Sequence, residues 1–218
     1  TVVEDSKAPL DNAYVEGLIE MGIRVETSFF ERHGNLRGMD CINGMLSYFC
    51  TGRLKNDDVI LKVDADTLVL GSEWLKNSLK YDFVASGYTN PQNAGERLAY
   101  GCCYALKGQI ARLAKETLKT FPHSETCPED VTILRAVKQH TNAIKLFEPW
   151  HEKNQDSKWT AWNWFSETVH PRKYSDFEVI TFGNPRPQGL PKNARGIAMN
   201  KMLDYKFMFD NALLTSES

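Results

Sequence analysis

The feature that most limits the folds open to this chain is an early alternation between strand-like and helix-like segments. Short apolar runs typical of strands alternate with two segments whose apolar residues recur at helical spacing. In chain order these are a strand at 1–5, a helix at 10–22, a strand at 23–29, a helix at 39–50 and a strand at 59–63. Asp11 is a candidate N-cap of the first helix, and Gly22 is a stop signal at its end. This βαβαβ order predicts an α/β fold in which helices wrap a mostly parallel sheet.

The rest of the chain continues the pattern as far as residue 147. The predicted elements are a helix at 73–80 capped by Ser72, a strand at 82–88, a loop at 91–97, an extended segment at 98–106, helices at 109–121 and 128–139, and a strand at 143–147. From 148 to 174 the sequence is aromatic and polar, which predicts loops and short turns. Because the chain has 218 residues and no internal repeat, we expect one domain spanning 1–218.

Composition excludes several classes of protein. Lys and Arg total 26 against 28 Asp and Glu, a formal charge of -2, so no overall basic field would hold nucleic acid. No apolar run approaches the roughly 18 residues of a membrane span, so we expect no span in this sequence. The five cysteines form no CxxC pair, which argues against structural zinc. Together with the absence of an Asn-x-Ser/Thr sequon, they favour a reducing, cytoplasmic location.

The stretch VILKVDADTLVL, residues 59–70, places Asp64 and Asp66 directly after an apolar strand. A carboxylate near an apolar setting needs a partner, and ligands of open α/β sheets bind beyond the carboxyl ends of the strands. Two carboxylates around one small residue can hold a Mn²⁺ or Mg²⁺ ion, which in turn binds diphosphate oxygens. The pattern therefore indicates nucleotide-sugar chemistry, with an acidic surface turn as the structural alternative.

The same stretch also resembles the DxDxT motif of haloacid dehalogenase-like phosphatases, which implies Asp64 as nucleophile and Asp66 as acid/base. That family usually begins with this strand, whereas here 63 residues precede Asp64. It also needs acids at the end of a later strand, but Glu129 and Asp130 follow the polar run SETCP. A non-catalytic module that binds a nucleotide or carbohydrate is a third hypothesis.

Two further regions resemble GT-A glycosyltransferases. VVEDSKAPL, followed by a helix, a strand, Arg37–Gly38 and an amphipathic helix, is similar to the nucleotide-binding half of β1,3-glucuronyltransferases. The segments AYGCCYALKGQIARL (99–113) and PEDVTILRA (128–136) resemble the GGGY and EDV motifs of β1,3-galactosyltransferase and Fringe-type enzymes. The resemblance covers about residues 1–136.

This resemblance implies a GT-A-like three-layer α/β/α domain with a mostly parallel, mixed central sheet. Its nucleotide-binding half would span about 1–66 and its acceptor half about 67–218. The implied activity is transfer of a sugar from a UDP-sugar donor to a carbohydrate or other hydroxyl acceptor, with inversion at the sugar carbon.

The resemblance also assigns residues to the donor. Asp5 would face the uracil ring, although an acid that caps a turn before Pro9 is the alternative. Arg37 would lie near the diphosphate or ribose, with a solvated surface arginine as its alternative. Gly101 and Tyr104 would line the donor site, in a segment that carries cysteines where the family has glycines.

On the acceptor side, the resemblance makes Asp130 the catalytic base of an inverting transfer. A capping box formed by Thr126 and Glu129 is the structural alternative for this acidic pair, since it would explain Glu129 without catalysis. The resemblance further implies a histidine as the third metal ligand. His170, which precedes Pro171, is the first choice, and His151 is the second.

Overall fold

The structure, a computed structural model, describes residues 1–7, 9–31, 36–50, 52–148, 160–162, 178–182 and 196–204. Its strands are β1 (Val2–Glu4), β2 (Val25–Thr27), β3 (Val59–Val63), β4 (Thr67–Val69), β5 (Phe83–Asn90), β6 (Asn93–Lys107), β7 (Ile144–Phe147), β8 (Thr160–Trp162) and β9 (Val179–Thr181). Its helices are α1 (Asn12–Glu20), α2 (Met39–Phe49), α3 (Glu73–Lys80), α4 (Gly108–Leu118), α5 (Glu129–Val137) and α6 (196–204). The predicted α/β class is confirmed.

A four-stranded sheet in the order β3-β6-β5-β7 lies at the centre of the described chain. The pairs β3–β6 and β6–β5 are antiparallel, and only β5–β7 is parallel. The prediction of a mostly parallel sheet is therefore wrong for these four strands. The reason is a hairpin: β6 begins at Asn93, inside the predicted loop 91–97, and pairs back onto β5 after a two-residue turn.

The main core forms where α2, α4 and α5 pack on one another and on the sheet. Fully buried side chains from all these elements meet there, among them Ile42, Leu46, Phe83, Tyr104, Leu118, Ile133 and Leu134. Helix α4 follows β6 directly, and α5 packs against β6. This arrangement holds the first turn of α5 against the middle of β6.

The N-terminal segment forms a separate parallel pair, β1–β2, with Val2 opposite Val25. The predicted N-cap and stop signal of α1 are confirmed, since the Asp11 side chain accepts the Ala13 N–H and Gly22 adopts a φ of 75°, and the helix between them is shorter than the predicted 10–22. The pair is tied to α2 by the Tyr48 hydroxyl, which donates to the Thr27 carbonyl at 2.7 Å.

A second sheet in the order β4-β9-β8 has its own small core. Ile180 and Phe182 pack there with Met202 of α6. Strand β8 lies in the region predicted to be loops and short turns, so that prediction is wrong at 160–162. Within the described ranges, no helix is both long enough and apolar enough to cross a bilayer.

Candidate functional site

In strand β3 a charged side chain is buried, while the apolar side chains on either side of it are partly exposed. Side chains alternate between the two faces of a strand, so Lys62 points away from the face that carries Leu61 and Val63. Lys62 is only 8% exposed, whereas its apolar neighbours Leu61 and Val63 are 37% and 39% exposed. A lysine is seldom buried unless it is paired, and this one therefore marks a polar centre inside the fold.

The Lys62 ammonium contacts acceptors from three parts of the chain. Its Nζ lies 2.6 Å from Asp64 Oδ1, beyond the end of β3, and 3.1 Å from Glu129 Oε1, at the start of α5. It also donates to the carbonyl of Gly101 in β6. Lys62 Nζ therefore donates hydrogen bonds to Asp64 and Gly101, whereas its contact with Glu129 Oε1 is an ion pair without a hydrogen bond.

The first turn of α5 supplies two carboxylates. The helix has Pro128 at its N-cap, without a side-chain cap, so the predicted Thr126–Glu129 capping box is wrong. Instead, Glu129 Oε2 accepts the N–H of Asp130 at 2.8 Å, and Asp130 Oδ1 accepts the N–H of Val131 at 2.8 Å. Both N–H groups belong to the first turn, where backbone donors have no partner inside the helix.

Gly101 lets the backbone of β6 approach these carboxylates. A Cβ at this position would lie 2.8 Å from Glu129 Oε2 and 3.2 Å from Asp130 Oδ2. A side chain here would therefore displace one carboxylate or the other. The absence of a side chain at Gly101 therefore leaves room for the carboxylates of Glu129 and Asp130.

The burial of these groups changes how they titrate. Burial, opposed by the charge of Lys62, raises the pKa of Glu129 to about 7. Burial also raises the pKa of Asp130, while a hydrogen bond from the Val131 N–H and the charge of Lys62 oppose the shift. Burial alone would lower the pKa of Lys62, but the charges of Glu129 and Asp64 outweigh it and raise that pKa.

Asp64 and Asp66 lie in the turn that joins the two sheets. The N–H of Asp64 donates to the Cys102 carbonyl of β6 at 2.9 Å, while the Asp66 carbonyl accepts the N–H of Phe182 at 2.8 Å. The Asp64 carboxylate is 36% exposed, so it can meet both the buried ammonium and a ligand from solvent. Backbone hydrogen bonds therefore tie Asp64 to strand β6 of the central sheet and Asp66 to the residue that follows β9 of the second sheet.

Asp64 and Asp66 are the carboxylates at this turn that could hold a hard divalent cation. Mg²⁺ is commonly bound by one or two carboxylates together with substrate phosphates, and two carboxylates are what this turn offers. Across the described ranges, no group of three or more His, Cys, Asp or Glu side chains is placed to hold a metal. The predicted third ligand, His170, and its alternative, His151, lie outside the described residues.

The other predicted donor residues differ in their placement. The backbone of Arg37 forms an antiparallel bridge with Pro128, so this exposed arginine lies beside the start of α5. Asp5 follows β1, where its Oδ1 accepts the N–H of Lys7 at 3.0 Å, as expected for an acid in a turn.

The prediction that Tyr104 contacts a nucleotide is corrected by its burial. The side chain is 0% exposed and cannot reach a ligand in solvent. Its ring stacks on Phe83 with centroids 5.7 Å apart, and Lys62 Nζ lies 5.5 Å from the ring centroid. Tyr104 therefore belongs to the core beneath the site.

Sequence reasoning missed Lys62 and the ion pair of Glu129. One signal for Lys62 was available, because a lysine stands where the strand VILKV would otherwise be continuously apolar. Comparison with models of known protein families finds no match, and comparison with curated proteins finds none. The case for function therefore rests on the geometry of the site.

Proposed function

We propose that this protein is a metal-dependent glycosyltransferase that moves a sugar from a nucleotide-diphosphate donor, UDP-linked, to an acceptor hydroxyl. One observation carries the proposal. Asp64, in the sheet-joining turn, and Asp130, in the first turn of α5, both lie around Lys62 and Gly101. A metal-dependent transferase needs one carboxylate to bind the metal ion and another to take the acceptor proton. Asp64 and Asp130 would perform these two tasks.

On the donor side, Asp64 and Asp66 would hold Mn²⁺ or Mg²⁺. The bound ion would neutralise charge on the leaving diphosphate. The chain's own part is to hold the carboxylates: Asp64 is fixed through its N–H and through Lys62. The exposed guanidinium of Arg37, beside the start of α5, suits phosphate oxygens approaching from solvent.

On the acceptor side, Asp130 would act as the general base. The acceptor oxygen would bond to the sugar carbon while the bond to the diphosphate oxygen breaks and that oxygen keeps the electron pair. The acceptor proton would pass to Asp130. The raised pKa of this carboxyl makes its anion a stronger base than an exposed aspartate, which favours this role.

The proposal is tested by Asp130→Asn, which keeps the size of the side chain but removes the basic oxygen. We expect UDP release from UDP-sugars, with acceptor sugars present, to fall by roughly 10²–10⁴. Calorimetric affinity for UDP with Mn²⁺ should barely change. The matched control is Glu125→Gln, which neutralises an exposed acid just ahead of α5 and should leave turnover unchanged.

A purely structural role for Asp130 gives a different result. Loss of a first-turn carboxylate then costs about 0.3–1 kcal/mol of stability and leaves turnover per folded molecule near normal. That outcome would remove Asp130 as the base. A phosphatase would instead show no sugar transfer and would bind beryllofluoride tightly at Asp64, while a non-catalytic module would bind UDP without any turnover.

A further inference from the structure

We infer that Lys62 is a positioning residue of the proposed transferase. It would set the place of Asp64 relative to Asp130 and limit how tightly Asp64 binds a divalent cation. The inference rests on the proposed function, because it assigns Asp64 and Asp130 to the donor and acceptor sides of one reaction. Neither role requires Lys62 to touch a substrate.

The positioning role follows from which elements Lys62 connects. Asp64 lies at the end of β3, whereas Glu129 begins α5 and fixes the neighbouring Asp130 through that residue's N–H. A third contact, to the Gly101 carbonyl, ties the ammonium to β6. The Lys62 side chain is only 9% exposed, so water cannot readily replace these contacts. Reaction rates are sensitive to displacements of about 1 Å in the reacting groups. Loss of the Lys62 contacts should therefore slow a reaction that uses both Asp64 and Asp130.

The effect on metal affinity follows from charge. The ammonium lies 2.6 Å from Asp64 Oδ1, so a cation on the exposed side of that carboxylate meets a partly neutralised ligand. A unit charge this close to a bound cation changes the free energy of cation binding appreciably, even where the dielectric constant is high. Lys62 would thus keep the ion and its diphosphate from binding too tightly to leave. Removing Lys62 should strengthen cation binding and slow transfer at the same time.

A merely structural lysine would behave otherwise, and the difference can be measured. Lys62→Met alone leaves Glu129 buried without its counter-ion, and such a variant is expected to lose stability. Lys62→Met with Glu129→Gln removes both charges while keeping the side-chain shapes, an exchange that is often neutral for stability. The double variant therefore separates folding from positioning.

The experiment compares the wild-type chain, E129Q and K62M/E129Q, so that the step from E129Q to K62M/E129Q removes the charge of Lys62 alone. The measurements are melting temperature, Mn²⁺ affinity by electron paramagnetic resonance, and kcat and KM for UDP release from UDP-sugars. For K62M/E129Q relative to E129Q, we expect a near-normal melting temperature, Mn²⁺ binding at least about fivefold tighter, and kcat at least about tenfold lower. The matched control is K107M/D82N, which removes a partly buried ion pair between the end of β6 and the residue before β5 and should change neither Mn²⁺ affinity nor kcat.

Two results would overturn the inference. A stable double variant that binds Mn²⁺ no more tightly than E129Q alone would show that Lys62 does not act on Asp64. A stable double variant with unchanged kcat would show that Lys62 does not position the reacting groups. Failure of the proposed function is distinct, because it appears as absent transfer by the wild-type chain, and the Mn²⁺ comparison still decides the action on Asp64. If the double variant fails to fold, Lys62→Gln, which keeps an N–H donor for the Gly101 carbonyl but removes the charge, is compared with the wild-type chain by the same criteria.

Discussion

At the scale of single residues, the site depends on how Glu129 shares a buried space with Lys62. Glu129 is 5% exposed, and burial favours its neutral form, while the ammonium favours the charged form. Burial prevails, and the pKa rises from an ordinary 4.5 to about 7. Glu129 therefore changes protonation in the neutral range, close to the proposed base at Asp130.

This shift predicts how stability depends on pH. Because the folded-state pKa of Glu129 exceeds its unfolded value, its contribution is fully present below about 4.5 and is lost as pH rises through about 7. The free energy of unfolding of wild type, minus that of Glu129→Gln, should fall by on the order of 1–3 kcal/mol between pH 5 and pH 8. Urea unfolding at stepped pH values measures it, with Glu125→Gln as the exposed control. Parallel curves for wild type and Glu129→Gln would contradict the raised pKa.

At the scale of elements, α3 shows how a distant residue can replace a local cap. Ser72 is at the N-cap with helical dihedral angles and makes no side-chain cap bond, so its predicted capping role is wrong. Glu178, just before β9, accepts the N–H of Glu73 through Oε2 at 3.0 Å. Gly71 makes room for it, since a Cβ there would overlap the Glu178 carboxylate. A carboxylate also suits the positive end of the helix dipole.

Because Glu178 caps α3 and Ser72 does not, substitutions at these two residues should have unequal effects on stability. Glu178→Ala should lower the free energy of unfolding by ~1 kcal/mol, the usual cost of a lost N-cap bond. Ser72→Ala should cost at most a few tenths of that amount, because its hydroxyl caps nothing. Urea unfolding of both variants at one pH provides the comparison. A larger loss for Ser72→Ala than for Glu178→Ala would reverse the assignment.

At the scale of the whole molecule, the turn with Asp64 and Asp66 joins the two sheets. The N–H of Asp64 donates a hydrogen bond to β6 of the central sheet, while the carbonyl of Asp66 accepts one from Phe182, just after β9 of the second sheet. A ligand held by this turn contacts a junction that exists only in the folded chain. Ligand binding should therefore stabilise both sheets together.

The corresponding prediction concerns thermal stability. UDP at about 100 times its dissociation constant should stabilise the protein by ~2.7 kcal/mol in the presence of Mn²⁺, which raises the melting temperature by several degrees. Asp66→Asn or removal of Mn²⁺ by EDTA should abolish most of the shift. GDP and CMP at the same concentration serve as controls. Equal shifts in melting temperature with and without Mn²⁺ would show that the nucleotide does not bind through a metal ion.

The sequence by itself determined the features that depend on neighbouring residues. Helix α1 begins after Asp11 and ends before Gly22 because a cap bond and a left-handed glycine act within a few residues. Helix α2 and strand β3 likewise follow from local apolar patterns. The position of Asp64 and Asp66 directly after a strand was also visible, because it depends only on the order of residues.

Only the tertiary structure decided what depends on partners far along the chain. The polar residues after Asn93 read as a loop, and they became strand because pairing with β5 satisfies their backbone groups. The cap at Glu178 and the burial of Lys62 beside Glu129 likewise involve partners that no local pattern specifies. A buried charge is stable only where distant acceptors surround it, so the centre of this site arises from long-range packing.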